Sequence, residues 1–179
     1  MAEDKKERWL TYMAITTVLI AVTATLSTFK GGGYSTKSLL NQTKASDQWA
    51  YFQSKKIKGY IYDARGENLE VQMELAEKQK GNEEIVAKYK EKIAAYKKYV
   101  KEHEEEEAAI SKTAAGFETQ RDECKLHSDK FGMAVIFLQI SILLSSIATL
   151  SKKKFVWICG LVLGVIGIVY FVDGFFLYF

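Results

Sequence analysis

The sequence contains no proline among its 179 residues. Proline interrupts helices because it lacks an amide N–H and its ring clashes with the preceding turn, so its absence permits long unbroken helices. Cysteine is scarce as well: Cys124 lies in a charged region and Cys159 in an apolar one. Two cysteines cannot build a disulfide framework. This excludes a small disulfide-stapled domain and leaves the redox compartment undefined.

Charge is almost absent from three long stretches, the third of which contains Asp173 near its end. Each stretch is close to the ~20 apolar residues that a helix needs to cross the hydrocarbon core of a bilayer. We therefore expect an integral membrane protein. The predicted elements are an N-terminal tail at 1–8, transmembrane helices at 9–29, 131–150 and 155–179, and a basic loop at 151–154.

The segment between the first two spans, 30–130, is densely charged and nearly balanced. It has 19 Lys and Arg residues against 18 Asp and Glu residues, a net charge of 19 − 18 = +1. A surface that binds nucleic acid would carry charge of one sign, so this balance argues against a nucleic-acid partner. The apolar residues are too thinly spaced for a two-layer core and favour a helical hairpin.

The best turn signal in this segment is Gly81-Asn82, near its midpoint, because both residue types tolerate a positive φ. Gly31-Gly32-Gly33 predicts a flexible exit or a helix break after the first span. A hairpin folded at Gly81-Asn82 brings opposite charges together: Lys55 falls opposite the Glu104–Glu107 run, and Glu67 falls opposite Lys97. Exposed pairs contribute only ~0–1 kcal/mol each, so they select the register while the apolar seam holds the arms.

Orientation is predicted from the short loop Lys152-Lys153-Lys154. Short basic loops stay in the cytoplasm, whereas domains longer than ~60 residues translocate largely regardless of charge. We therefore expect a cytoplasmic N-terminus and an external helical domain and C-terminus. The first span is interpreted as a retained signal anchor, because its apolar core is long and Ser27-Thr28-Phe29-Lys30 does not match a small-x-small cleavage site.

The candidate catalytic and metal sites are weak. Cys124 and His127 lie one helical turn apart but supply only two of the four ligands of a closed zinc site. The Glu104–Glu107 run lacks an EF-hand loop around it and is interpreted as a solvated face. No nucleophile elbow or phosphate-binding loop occurs. We expect no catalytic residue, no metal and no cofactor.

Small and polar residues inside the spans predict helix packing. Gly160, Gly164 and Gly167 form a small-residue stripe that allows close approach, which we assign to oligomer packing as a hypothesis. Hydroxyl residues are frequent in the first two spans, and we expect them to face other helices. Asp173 and Asp129 should lie near the same interface. They form either a packing contact or, in an oligomer, a ring of acids at the mouth of a cation path.

A third candidate feature is a packing belt formed by Asp47, Trp49 and Phe52. In the predicted register, the large rings of Trp49 and Phe52 fall near Ala114 and Ser111 of the other arm, where small side chains leave room. The alternative is an exposed aromatic surface that binds a partner.

Residues 45–58, ASDQWAYFQSKKIK, are distinctive. Together with Leu138-Gln139-Ile140 and the basic loop 151–154, they resemble the bacterial family catalogued as domain of unknown function 4337. The resemblance covers essentially the whole chain and is least distinctive over 65–115. It implies one N-terminal span, a charged helical region, a C-terminal pair of spans and a bacterial inner-membrane location. It implies no activity.

The predicted fold class is an all-α membrane protein with three transmembrane helices and a long antiparallel helical hairpin, coiled-coil-like, outside the membrane. The leading functional hypothesis is a non-enzymatic, self-assembling membrane scaffold or interaction protein. The alternative is an oligomeric channel or transport component, and a membrane enzyme comes third. The expected partners are the lipid bilayer and further copies of the chain, with any other protein partner unknown.

Overall fold

The computed structural model describes residues 2–78 and 81–178, with side chains from Trp9 onward. It contains three helices: α1 (Ala2–Glu77), α2 (Glu83–Ser151) and α3 (Lys154–Phe176). The described residues include no strand, so the all-helical class is confirmed. Each helix contains a window that is long and apolar enough to cross a membrane. The side chains of the predicted tail 1–8, and Phe179, lie outside the described residues.

Helix α1 runs without interruption through Gly31-Gly32-Gly33, where the sequence predicts a break. That expectation was wrong. Gly31 is instead a site of close helix contact, because a Cβ atom added there would lie 3.0 Å from the Cβ of Phe131. The helix also begins at Ala2, so residues 2–8 of the predicted tail are helical. Continuous backbone hydrogen bonding offsets the entropic cost of about 0.5–1 kcal/mol that each helical glycine carries.

The connections between helices are short. Helix α1 ends at Glu77 and α2 begins at Glu83, and Gly81 between them has φ +97°. This is the left-handed region that glycine adopts without a steric penalty. The sequence places its turn at Gly81-Asn82, within this connection. Between α2 and α3 only Lys152 and Lys153 lie outside a helix, and Lys152 has φ 54°.

The helices divide into two compact units. The first contains Met1–Leu40 and Gln120–Phe179, and the second contains Asn41–Thr119. Residues 30–40 and 120–130 therefore group with the predicted spans, whereas the sequence analysis places them in the charged segment. We call these the span unit and the charged unit.

The span unit packs parts of all three helices around a thin apolar core. One cluster contains Ile20 and Ala24 of α1 with Ala134 and Leu138 of α2. Leu161, Tyr170 and Phe171 of α3 pack against it. A second cluster at the other end joins residues of α1, α2 and α3: Trp9, Met13, Ala148, Val156 and Trp157.

In the charged unit, α1 contacts α2 in an antiparallel sense. Trp49 contacts Glu118, Lys55 contacts Glu106 and Glu70 contacts Lys97. Residues later in α1 therefore contact residues earlier in α2. The buried apolar residues are few, as the thin spacing in the sequence predicts. Those buried in this unit are Ala45, Ile93, Ile110 and Ala114.

Candidate functional site

The most unusual side chain of the span unit is Asp173, a carboxylate that is only 1 % exposed. Its Oδ2 atom lies 2.9 Å from Nζ of Lys130, whose side chain is 23 % exposed. Its Oδ1 atom accepts a hydrogen bond of 2.7 Å from the backbone N–H of Tyr178. The ammonium group and the backbone donor together offset the cost of burying the charge.

Asp173 also caps the C-terminus of helix α3. Its backbone carbonyl accepts a 2.8 Å hydrogen bond from the N–H of Leu177, which adopts the left-handed conformation with φ 51°. The main-chain and side-chain oxygens of Asp173 thus satisfy two donors of residues 177 and 178, which follow the helix. This arrangement places the ion pair with Lys130 at the boundary between α3 and the chain end.

A histidine lies beside the ion pair. Nδ1 of His127 is 2.8 Å from the carbonyl oxygen of Gly174, so this nitrogen donates the hydrogen bond. The imidazole ring stacks on Tyr34 of α1, with ring centroids 4.5 Å apart. His127 and Lys130 therefore anchor the end of α3 to α2, and Tyr34 adds α1 to the same contact.

Phe131 forms the apolar floor of this site and is fully buried. Its ring packs edge to face against Phe171 and Phe175 of α3, at centroid distances of 5.8 and 5.0 Å. Its backbone carbonyl accepts a 3.0 Å hydrogen bond from Oγ of Ser27. A Cβ added at Gly174 would lie 2.9 Å from the Phe131 ring, so glycine permits this contact. We call Tyr34, His127, Lys130, Phe131, Asp173 and Gly174 the Asp173 cluster.

The glycine stripe of α3 faces inward. Gly160, Gly164 and Gly167 are all buried within the single chain. A Cβ at Gly167 would lie 2.7 Å from Cγ of Leu138, and one at Gly164 would lie 2.9 Å from Cδ1 of Ile20. These contacts are intramolecular, and the hypothesis that the stripe packs a second copy stays a prediction. These surfaces are already occupied by α2 and α1 of the same chain.

The hydroxyl groups of the spans are mostly satisfied within their own helix, contrary to the expectation that they face other helices. In α1, the threonine hydroxyls at 17, 23, 25 and 28 each donate to the carbonyl oxygen four residues earlier. Two serines do cross between helices: Ser27 bonds to Phe131, and Ser141 donates to the carbonyl oxygen of Gly160 at 2.6 Å. This local bonding satisfies these threonine hydroxyls without partners from other helices.

The charged unit has a central ion pair between Lys55 and Glu106. The hydrogen bond from Lys55 lowers the pKa of Glu106 below its ordinary value of 4.5. The same bond raises the pKa of Lys55 above its ordinary value of 10.5. Both shifts favour the charged forms, so this pair stays ionised between these two values. Its contact lies inside the stretch where the sequence places Lys55 opposite Glu104–Glu107.

An aromatic cluster lies further along the charged unit. The ring of Tyr62 from α1 stacks on Tyr99 and His103 of α2, at centroid distances of 5.3 and 5.8 Å. It also contacts Tyr96 at 5.7 Å. Nδ1 of His103 is 3.8 Å from Glu106, which exceeds hydrogen-bond distance. These rings fill the space between α1 and α2 in this part of the charged unit.

The comparison with protein families identifies the chain. The family model described as "Domain of unknown function (DUF4337)" matches residues 9–177. The chain belongs to the DUF4337 family. The match confirms the resemblance carried by residues 45–58, and it extends over all three helices. No significant match to a curated protein or to a solved structure was found.

The packing belt of this DUF4337 protein is only partly buried. Trp49 and Phe52 are half-buried and pack edge to face at 5.5 Å, while Asp47 is exposed. The indole N–H of Trp49 donates a 2.9 Å hydrogen bond to Oε1 of Glu118. Ala45 and Ala114, rather than the aromatic rings, are the buried residues of this region.

The residues that could bind a metal ion lie apart in the part of the DUF4337 protein that the structure describes. No group of three or more His, Cys, Asp or Glu side chains that could hold a metal ion occurs there. His127 bonds to Gly174, and Cys124 is a half-exposed free thiol. Asp129 is exposed next to Lys130, whereas Asp173 is buried.

The sequence predicts that Asp173 lies near the start of the second span, and the structure has it beside Lys130 there, but the sequence pattern does not identify its partners. Lys130, His127 and Phe131 were treated as flanking or span residues. Two features of the sequence could have identified Lys130 as the partner of Asp173. Lys130 is the last charge before the second span, and Asp173 is the only charge within the third. A lone acid in an apolar helix needs a cation at the same depth, and Lys130 is the residue that the two-span topology brings there.

Proposed function

We propose that this DUF4337 protein is a non-enzymatic membrane protein that self-assembles and presents its charged unit as a scaffold or interaction module. One observation carries the proposal: most of the large side chains facing outward from the predicted spans are apolar. Soluble monomers rarely expose contiguous apolar patches of this kind, whereas a bilayer solvates them. Examples from the three helices are Leu19, Val22, Leu143, Ile147, Val162 and Val165.

The charged unit extends outside the membrane in this proposal, because its charges cannot enter hydrocarbon. Its antiparallel contacts support a helical hairpin of the coiled-coil kind, held by thin apolar contacts and selected by ion pairs. Exposed apolar residues such as Ile57, Tyr60, Val71 and Leu75 remain on its outer surface. Such a surface suits protein contacts more than chemistry, which is the reason we favour a scaffold over an enzyme.

The proposed location is the bacterial inner membrane, with the N-terminus in the cytoplasm and the charged unit in the periplasm. The three apolar helices support membrane insertion. The orientation rests on the short loop that contains Lys152 and Lys153, because basic residues in short loops favour the cytoplasmic side.

The channel alternative receives no support from the polar residues of the spans. Asp173 is buried against Lys130 within one chain, so its carboxylate is not displayed to a central axis. This intramolecular ion pair supports the packing contact, the first of the two alternatives that the sequence leaves open, over a ring of acids in an oligomer. The threonine hydroxyls of α1 are likewise satisfied by their own helix.

Two differently tagged full-length copies, expressed together, test the self-assembly. We expect the protein to resist extraction from membranes by alkaline carbonate, and one tag to capture the other after mild detergent solubilisation. The matched control mixes membranes that carry each copy separately and solubilises them together, which measures exchange after extraction. Release by carbonate would contradict membrane insertion, and failure of co-capture would contradict self-assembly.

A further inference from the structure

The outward surface of α2 differs from those of α1 and α3. Residues Gly132, Gln139 and Ser146 are all exposed and are spaced seven apart, so they lie in line along one face of the helix. Ile136, Leu143 and Leu150 lie between and after them on the same face and are also exposed. We call these six residues the α2 seam.

The equivalent outward faces of the other two helices are apolar at this spacing. On α1 the exposed residues are Tyr12, Ile15, Leu19, Val22, Leu26 and Phe29. On α3 they are Phe155, Ile158, Val162, Val165, Val169 and Val172. Except for the phenol of Tyr12, which lies near the end of the predicted first span, lipid tails can cover both of these faces without leaving a polar side chain unsatisfied.

Gln139 is the feature that lipid cannot satisfy. It lies at the middle of the predicted second span, and no hydrogen bond to its carboxamide is present among the described residues. The exposed Ser146 differs, because its hydroxyl donates to the carbonyl oxygen of Ile142. A side-chain amide held in hydrocarbon without a partner is unfavourable, so this position requires a polar group from outside the chain.

The Gln139 carboxamide of a second copy can supply this polar group, because its donors and acceptor complement those of the first copy. A carboxamide has two N–H donors and one carbonyl acceptor, so two Gln139 side chains related by a two-fold axis can each donate to the other. Gly132 and Ser146 are small and allow the two α2 helices to approach closely on either side of this pair. Ile136 and Leu143 fit the alternating apolar positions of a left-handed helix pair.

We propose that the α2 seam is a homodimer interface centred on a reciprocal hydrogen bond between the Gln139 side chains of two copies. This inference rests on the proposed function, because it assumes that the chain is inserted in a bilayer and self-assembles. It also replaces the glycine stripe of α3, which is used within one chain, as the surface that joins copies. The polar pair fixes the register of the two helices, and the apolar positions supply most of the contact.

Single-cysteine variants test the location of the interface in native membranes. In a background of Cys124→Ser and Cys159→Ser, we expect Ile136→Cys and Leu143→Cys to form covalent dimers with a membrane-permeant oxidant. The matched control is Val165→Cys, which is exposed near the middle of α3 and should remain monomeric. All three positions face outward, so none of these substitutions disturbs a buried contact.

A second measurement tests the amide itself. Gln139→Leu should raise the dimer dissociation constant by about 3- to 30-fold, measured by energy transfer between labelled copies during dilution into lipid vesicles. Ile140→Leu, an exposed neighbour off the seam, should leave the constant unchanged. An unchanged constant for Gln139→Leu would overturn the hydrogen-bonded pair.

The outcomes separate the interface from the proposed function. Crosslinking at 165 but not at 136 or 143 would overturn the α2 seam while leaving self-assembly in place. A protein that is monomeric at every concentration in vesicles, with no crosslink at any of the three positions, would overturn both. Crosslinking confined to 136 and 143, with a weaker dimer in Gln139→Leu, supports the inference.

Discussion

At the scale of single residues, the buried pair of Lys130 and Asp173 shows how a charged side chain can join two helices. From the sequence, Asp173 is an acid bordered by Val172 and Phe175, which must turn toward protein or water. In the structure it turns toward protein, and both of its carboxylate oxygens have partners. The acid therefore belongs to the end of α3, where it joins that helix to α2.

The two members of this pair should respond unequally to substitution. Lys130→Met leaves a carboxylate that is 1 % exposed without its cation, and we expect a loss of about 3 kcal/mol of stability. Asp173→Asn should cost less, because the amide oxygen still accepts from Tyr178 and Lys130 is partly exposed to solvent. Thermal unfolding in one detergent, followed by circular dichroism, compares the two. An equal or smaller loss in Lys130→Met would contradict the proposed asymmetry.

At the scale of helices, the charge pattern of the sequence predicts part of the register of α1 against α2 but not all of it. The pairing of Lys55 with the Glu104–Glu107 run is present in the structure as the contact with Glu106. Nearer the turn, Lys97 contacts Glu70 at 2.8 Å, whereas the sequence places it opposite Glu67. The difference is about one helical turn. Repeated Glu and Lys residues allow several similar charge pairings between the two helices. The packing of Ile93 and of the Tyr62 ring against Tyr96 distinguishes one register from the others.

Paired cysteines distinguish these two registers. In a background without Cys124 and Cys159, Glu70→Cys with Lys97→Cys should crosslink under mild oxidation, because their side chains meet in the structure. Glu67→Cys with Lys97→Cys is the control and should crosslink poorly. Disulfide formation is measured by mobility on a non-reducing gel. Faster crosslinking in the control pair would show that the sequence-based register is the correct one.

At the scale of the whole molecule, the proposed orientation of the chain rests on the asymmetry of its connections. The short link between α2 and α3 is basic, and the long charged segment between the first and second predicted spans is almost neutral overall. Insertion retains short basic loops in the cytoplasm, so the two predicted C-terminal spans should enter as a pair with that loop inside. An odd number of crossings then places the two chain ends on opposite sides.

Reporter fusions test this orientation. A reporter that is active only outside the cytoplasm should be active at the C-terminus and inactive at the N-terminus. Protease added to cells with an opened outer barrier should cleave within 30–130. Fusion of the same reporter to a soluble cytoplasmic protein is the control for leakage. A cytoplasmic signal from the C-terminal fusion would reverse the proposed orientation.

The sequence by itself determined the helical class, three apolar helices long enough to cross a membrane, and membership of the DUF4337 family. These properties depend on local composition and length: the absence of proline, the uncharged runs and the stretch at 45–58. Only the tertiary structure decided that Gly164 and Gly167 face inward, that Gly31 lies inside a continuous helix, and that Asp173 pairs with Lys130. The physical reason is that a helix presents several faces of similar composition. Which face is buried depends on side chains of other helices that are distant along the chain, as with the separation of 47 residues between His127 and Gly174.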